Sequence, residues 1–498
     1  MSPDELERLR APGTIEGLGI PLGLAEDLFM RRVLTERTTT IGEASQLLCI
    51  SHGVGVELAQ SLREKTLIEY LGATGRDYRI QLTEMGHRTT TQRMGSGRHV
   101  SAMPIPLNYY RTVVEAQVSD LLVDRETIAA AFADLVVDDQ ILDQIGPAFL
   151  SGGAIFLYGP AGTGKTSLAE RLNRVFDDPV LIPRYVETDG QIISVYDPAL
   201  HHAIDIQPPG IDPRWVVCER PLIIVGGELD MGMLDLRYDR ISGVNAAPIQ
   251  MLANNGVLVV DDFGRQAIRP EEVLNRWIVP LSRGIDYLKA NTGSKFTVPF
   301  ALKLVISTNL DPNSLGDDAF LRRLRNKVFV GPVTDEAFTE VLYQSVERFD
   351  LDLTEDAADH LCAVAREHIG ELRPYLAVDF CELTLAICDY EQCERVLDPD
   401  MIDRVADLYF VQSEAADMSD RQLGQLGPLG QLDQLAMWRL ASQGPQRPPS
   451  PWDSYDVANF QYGDPLAGLD ALAATQSVDG GRSVDDVLAA IEAGNYQG

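Results

Sequence analysis

Apolar positions near the start of the chain keep helical spacing three times and then switch to alternation. Residues 25–35 form an amphipathic stretch, and Thr40 with Glu43 makes a capping box ahead of Ala44, Leu47 and Leu48. Val54, Leu58 and Leu62 line one face of a third helix over residues 54–65. The runs LIEYL and RDYRIQLT then alternate on either side of a turn at residues 72–75, and TEMGHR closes the unit as a helical turn. The pattern predicts three helices and a hairpin within residues 1–94. The segment GSGRHVSAMPIPLN, residues 95–108, is rich in glycine, proline and polar residues and is predicted as a linker.

From residue 109 the rhythm changes. Residues 109–149 are predicted helical, with DRETIAAAFADLVV the clearest amphipathic part. Short apolar runs bounded by glycine or polar residues follow: AIFLY (154–158), VLIP (180–183), LIIVG (222–226), GVLVV (256–260), LKLVIS (302–307) and KVFV (327–330). Such runs predict buried strands of an α/β domain over residues 109–332, and the irregular stretch of about 184–250 predicts an insertion with strands of its own. Residues 333–412 are predicted all helical. Thr354 caps a helix that Gly370 ends, and Asp398 with Pro399 opens another carrying Ile402, Val405, Ala406 and Tyr409.

After residue 412 leucine recurs every third position from Leu423 to Leu435, among glycines and a proline that prevent a stable helix. Residues 413–498 are predicted as a disordered, low-complexity tail with two short helices, DPLAGLDALAATQ and SVDDVLAAIEAG. The second has Ser483 as cap, Val487, Leu488 and Ile491 as an apolar face, and Gly494 as stop.

Charge narrows the partners. The chain has 498 residues and a net charge of −32, which opposes general adhesion to nucleic acid or anionic membrane. No apolar run approaches a membrane span, and the polar, acidic start is unlike a signal peptide, so a cytoplasmic protein without membrane insertion is expected. Six cysteines without C-x-x-C pairing point to reduced thiols rather than zinc or disulfides.

The chemistry concentrates at GPAGTGKT, residues 159–166, which fits the phosphate-binding pattern G-x-x-x-x-G-K-[ST] between an apolar run and a helix. Gly159, Pro160, Ala161, Gly162, Thr163 and Gly164 would turn backbone N–H groups toward phosphate, and the helix opened by Lys165, Thr166 and Ser167 adds its positive end. Lys165 supplies a point charge for the terminal phosphates and the Thr166 hydroxyl a place for Mg²⁺. Asp261, at the end of the run 256–260, is the second candidate metal-holding group, with Asp262 beside it. Taken alone, Asp-Asp-Phe-Gly is equally a polar turn. Asn309, at the tip of the run 302–307, could orient an attacking water, or belong only to the turn Asn-Leu-Asp-Pro. Arg322, Arg323 and Arg325 cluster before the last apolar run.

These motifs in this order resemble the AAA+ ATPase family over residues 124–412. The wording RPLIIVGGEL, DLRYD, DDFGRQ, LNRWIVPL and STNLDP is similar to a bacterial group of chaperone-like AAA+ ATPases, some linked with pilus assembly, in which a winged helix precedes the ATPase domain. The resemblance implies a five-stranded parallel sheet, a helical lid, ATP and Mg²⁺ as ligands, and self-assembly into a homo-oligomeric ring, a hexamer being one possible size. It implies Asp262 and Asn309 as catalytic residues and Arg322 or Arg323 as a finger reaching a neighbour's nucleotide. Asp262 stands where most of the family have Glu, and Ala377 and Val378 stand where a lid arginine is expected, which leaves Arg373 as a substitute.

The order of residues 1–94 resembles a winged helix. Arg76, Arg79, Arg88, Arg93 and Arg98 against Asp77 and Glu84 would suit DNA, whereas the helix start SHGVGVE offers few side chains for base edges and suits protein docking. Remodelling or assembly of a protein client is therefore the first functional expectation. A slowly hydrolysing switch on DNA is the rival, and an ATP-binding scaffold a third.

Overall fold

The computed structural model describes residues 9–94, 98–118, 123–205, 210–312 and 324–410. The predicted tail, its leucine repeat and its two short helices lie outside these residues, as do Arg322 and Arg323.

Five of the apolar runs meet in one parallel sheet: β1 (Ile155–Tyr158), β2 (Leu222–Val225), β3 (Val257–Val260), β4 (Lys303–Thr308) and β5 (Asn326–Phe329), in the order β2-β3-β4-β1-β5. β1, β2 and β3 are short and almost wholly apolar, β4 is apolar from Leu304 to Ile306, and only the edge strand β5, which reads NKVF, is largely exposed. Ile155, Leu157, Val257, Val259 and Val305 pack with Ile128, Phe132, Phe149 and Leu172 on one side. Phe156, Ile223, Leu258, Val260 and Ile306 pack with Val273, Trp277 and Phe263 on the other. Alternate residues of the same strand thus serve two cores.

The stretch expected as an insertion, 184–250, contains β2 and is therefore two pieces rather than one. Around β2, a second five-stranded sheet joins Arg237–Asp239, Val244–Ala246, Gln191–Ser194, Tyr185–Thr188 and Ile105–Pro106 in that order. Val180–Pro183 stays out of the central sheet and pairs antiparallel with Trp215–Cys218. A hairpin, Ile285–Lys289 with Lys295–Pro299, follows the helix Pro270–Arg283 between β3 and β4.

Residues 9–94 have the predicted order. Helices Leu22–Glu36, Ile41–Leu47 and His52–Glu64 precede the strands Ile68–Thr74 and Asp77–Leu82, which form a three-stranded sheet with Thr39–Thr40, and Glu84–Met94 closes as a helix. The capping box is present, with Thr40 accepting from Glu43 N and Glu43 accepting from Thr40 N. Residues 98–108, expected as a linker, are packed. Met103 N donates to Leu48 O at 2.8 Å, Ile105–Pro106 pairs parallel with Val186–Glu187, and Met103 and Ile105 are fully buried.

The C-terminal described part is a lid of four helices, Asp335–Arg348, Ala357–Ile369, Pro374–Glu391 and Pro399–Tyr409, around one core. It departs from all-helical only at a two-residue parallel ladder, Asp352–Leu353 with Val396–Leu397. Asp398 caps the last helix through Met401 N and Gly370 ends the second at φ 85° as expected, whereas the second begins after Asp356 rather than Thr354. All six cysteines are free thiols. Among the described residues no helix is long and apolar enough to cross a membrane.

Candidate nucleotide site

The loop after β1 is shaped by what a side chain would strike. At Gly162 (φ 79°) an added Cβ would fall 2.1 Å from the Tyr375 ring, so the lid packs directly on the loop there. At Gly164 (φ 90°) nothing lies within 4 Å of that position, and the backbone turns into the helix Lys165–Arg171. Left-handed geometry at both positions strains ordinary L-residues and favours glycine, which leaves the backbone bare where the helix begins.

Lys165 is buried, and its ammonium donates to Gly159 O at 3.1 Å and Pro160 O at 2.6 Å. Burial pushes its pKa below the usual lysine value, while Asp261 and Asp262 pull it back up. Thr163 is buried with its hydroxyl on Pro160 O, Ala161 O accepts from Arg373 Nη1 at 3.1 Å, and Ser167 follows in the first helical turn. Arg373 is held in turn by Glu371, its Nε donating at 2.7 Å. Arg373 and Tyr375, at the head of the third lid helix, therefore both contact the loop. Ala377 is buried within the same helix.

Thr166 Oγ1 donates to Asp261 Oδ2 at 2.8 Å. Two residues 95 positions apart are brought together because β3 and β1 run parallel and both finish at the same, C-terminal end of the sheet. A hydroxyl and a carboxylate in contact beside a buried ammonium form an oxygen donor set suited to a hard divalent cation. Asp262 is exposed at φ 47° and gives its N–H to Asp261 Oδ1. Asn309 lies one residue beyond β4, the strand next to β3, and lines a cleft with Tyr158, Gly159 and Phe329. The sheet thus gathers Lys165, Thr166, Asp261, Asp262 and Asn309 at one end. Among the described residues, no group of three or more His, Cys, Asp or Glu is placed to hold a metal ion.

Three contributors have roles that the sequence motifs do not state. Gln266 bonds the backbone of the Asp261 turn, Thr308 donates to Phe263 O in that turn and accepts from Leu310 N in its own, and Tyr375 packs on Gly162. Gln266 lies in the stretch DDFGRQ and Thr308 in STNLDP, but neither spelling states the bond that the side chain makes.

Residues 334–408, the lid, match a Domain of unknown function (DUF8689). No curated protein matches the chain. Among solved structures, the RuvB Holliday junction branch migration motor of Thermotoga maritima is similar at 14% identity, over 60% of this chain and 74% of that one, with a TM-score of 0.32. NtrX from Brucella abortus, in complex with ATP, is similar at 13% identity over 68% of this chain and 66% of that one, with a TM-score of 0.33. On its own topology, a glycine loop between β1 and its helix, a parallel sheet in the order β2-β3-β4-β1-β5 and a helical lid on that loop, the chain has the P-loop α/β fold of AAA+ type.

Proposed function

We propose that this chain is an AAA+ ATPase that assembles with itself and uses binding and hydrolysis of Mg-ATP to remodel or assemble a protein partner. The contact between Thr166 and Asp261 beside buried Lys165 carries the nucleotide part of this reading. Bare backbone at the helix start suits phosphate, Lys165 supplies the charge, and Thr166 with Asp261 would hold Mg²⁺, which when bound neutralises charge on the terminal phosphates. Asp262 would accept a hydrogen bond from the attacking water and Asn309 would orient it, with Arg322 or Arg323 acting from a neighbouring protomer.

Protein is favoured over DNA as partner by the start of the helix His52–Glu64. Ser51 donates to Pro12 O at 2.8 Å and Glu57 accepts from Ile15 N at 2.9 Å, so the preceding segment crosses the end that would have to enter a groove. The DNA reading keeps Arg76 and Arg79, exposed on the hairpin.

Lys165→Ala is expected to abolish tight nucleotide binding, because the site loses its cation, whereas Asp261→Asn should bind ATP and lose metal-dependent turnover. Unchanged affinity and turnover in Lys165→Ala would sink the assignment. A mobility-shift titration at low salt tests the partner: submicromolar, salt-sensitive duplex binding would reverse the order of the two readings.

A further inference from the structure

The turn that carries the two acids is fastened from both sides by side chains whose bonds go entirely to backbone. On one side Gln266 Nε2 donates to Asp261 O at 2.9 Å and Asp262 O at 3.2 Å, while its Oε1 accepts from Gly264 N at 2.7 Å. On the other, Thr308 Oγ1 donates to Phe263 O at 2.6 Å and accepts from Leu310 N at 3.1 Å. Phe263 N adds a bond to Ser307 O at 2.8 Å. Thr308 is completely buried, so its single proton has no solvent alternative.

The arrangement has a consequence for the neighbouring groups. Thr308 precedes Asn309 and bonds the residue after it, so one hydroxyl spans the gap between the Asn309 turn and the Asp262 turn. Asp262 sits in the left-handed region at φ 47°, a strained conformation for a residue with a side chain, which persists only where surroundings hold it. An aspartate has fewer side-chain torsions than a glutamate with which to correct a misplaced backbone. Where its carboxylate ends up is therefore decided by the turn.

We propose that Thr308 and Gln266 are positioning residues for hydrolysis, fixing the Asp262 carboxylate against the Asn309 amide without touching nucleotide. This rests on the ATPase reading above. Displacement of a reacting geometry by about 1 Å can cost roughly 100-fold in rate.

The test is steady-state ATP turnover by the full chain, with nucleotide affinity and thermal unfolding measured alongside. Thr308→Val, which keeps the shape and removes the hydroxyl, is expected to lower kcat by roughly 10- to 100-fold with KM within about twofold of the parent. Thr308→Ser should restore kcat to within about threefold of the parent. Gln266→Met, at a half-buried position, should show the same loss in kcat with KM unchanged, and decides the matter if Thr308→Val does not fold. Unchanged kcat in the foldable variants, kcat and affinity falling together, or no rescue by serine would overturn the positioning role. A parent protein that binds ATP without turning it over would instead remove the ATPase reading, and this role with it.

Discussion

The ring of Tyr375 lies where a side chain on residue 162 would have to go, 2.1 Å from the position of an added Cβ at Gly162. The lid and the glycine loop are therefore in direct contact, and Arg373 on Ala161 O reinforces it at 3.1 Å. Gly162→Ala must both adopt φ 79° and displace the ring. It is expected to weaken binding of a fluorescent ATP analogue at least tenfold and to raise hydrogen exchange at the head of the helix Pro374–Glu391. Tyr375→Ala should raise the same exchange with binding changed by less than the glycine substitution. Equal protection in parent and Gly162→Ala would show that the lid does not rest on the loop in solution.

What the sequence made legible was whatever is written locally. The loop 159–166, the acid after GVLVV, the Thr40–Glu43 box and the strand runs are all contiguous, and the same residues reappear as β1, β3, β4 and β5. LIIVG was legible as a strand but not as a neighbour of β3, because nothing local says which of six apolar runs enter the central sheet. Residues 98–108 misled for a related reason. Pro104 and Pro106 suggest a linker, yet Ile105–Pro106 is an edge strand, where a missing N–H costs little. Tyr375, Thr308 and Gln266 act through approaches between distant segments or through backbone geometry, and no spacing rule announces them.

His99 gives the fold a predicted pH dependence. It is buried against Tyr185, ring centroids 4.5 Å apart, and burial together with the charges of Arg31 and Arg32 pushes its pKa down to about 4. The unfolded chain takes up the proton near 6.5 and the folded one only near 4, so stability is full above pH 6.5 and is lost as pH falls toward 4. The loss is on the order of 3 kcal/mol. His99→Phe keeps the ring contact and removes the titration. Thermal unfolding of this variant should depend less on pH between 7 and 4 than that of the parent, and identical slopes would mean that other groups govern acid unfolding.

Arg214 ties residues 9–94 to the rest of the described chain. Fully buried, it pairs with buried Asp212 through Nη2 at 2.8 Å, and its Nη1 donates to Leu18 O at 3.2 Å and Pro104 O at 2.9 Å. Arg214→Ala strands the Asp212 carboxylate and two carbonyls, at a cost of roughly 3–5 kcal/mol. The expected readouts are a lower unfolding temperature and faster proteolysis near residues 98–108. Adding Asp212→Leu to Arg214→Met should recover part of the loss, since the buried charge goes with its partner. A parent-like melt for Arg214→Ala would show that this joint does not hold the N-terminal helices in place.

The finger proposed at Arg322 or Arg323 concerns residues outside the described structure, and its test needs no geometry. Charge builds on the γ-phosphoryl oxygens during transfer. A guanidinium can give them two parallel hydrogen bonds where Lys165 gives a point charge. Such a finger is worth roughly 10³–10⁵ in rate. If Arg323 acts on a neighbouring protomer, turnover per chain should rise with protein concentration, and Arg323→Ala should bind ATP normally while hydrolysing it very slowly. Mixing Arg323→Ala with Lys165→Ala then separates action in trans from action in cis. The first variant has an intact loop and no finger, the second an intact finger and no loop, so mixed assemblies contain interfaces where both halves are sound. Recovered activity in the mixture identifies a finger in trans. Two inactive parents that co-assemble by size exclusion and stay inactive would remove it, and would return the role to Arg373, the arginine already in contact with Ala161 O.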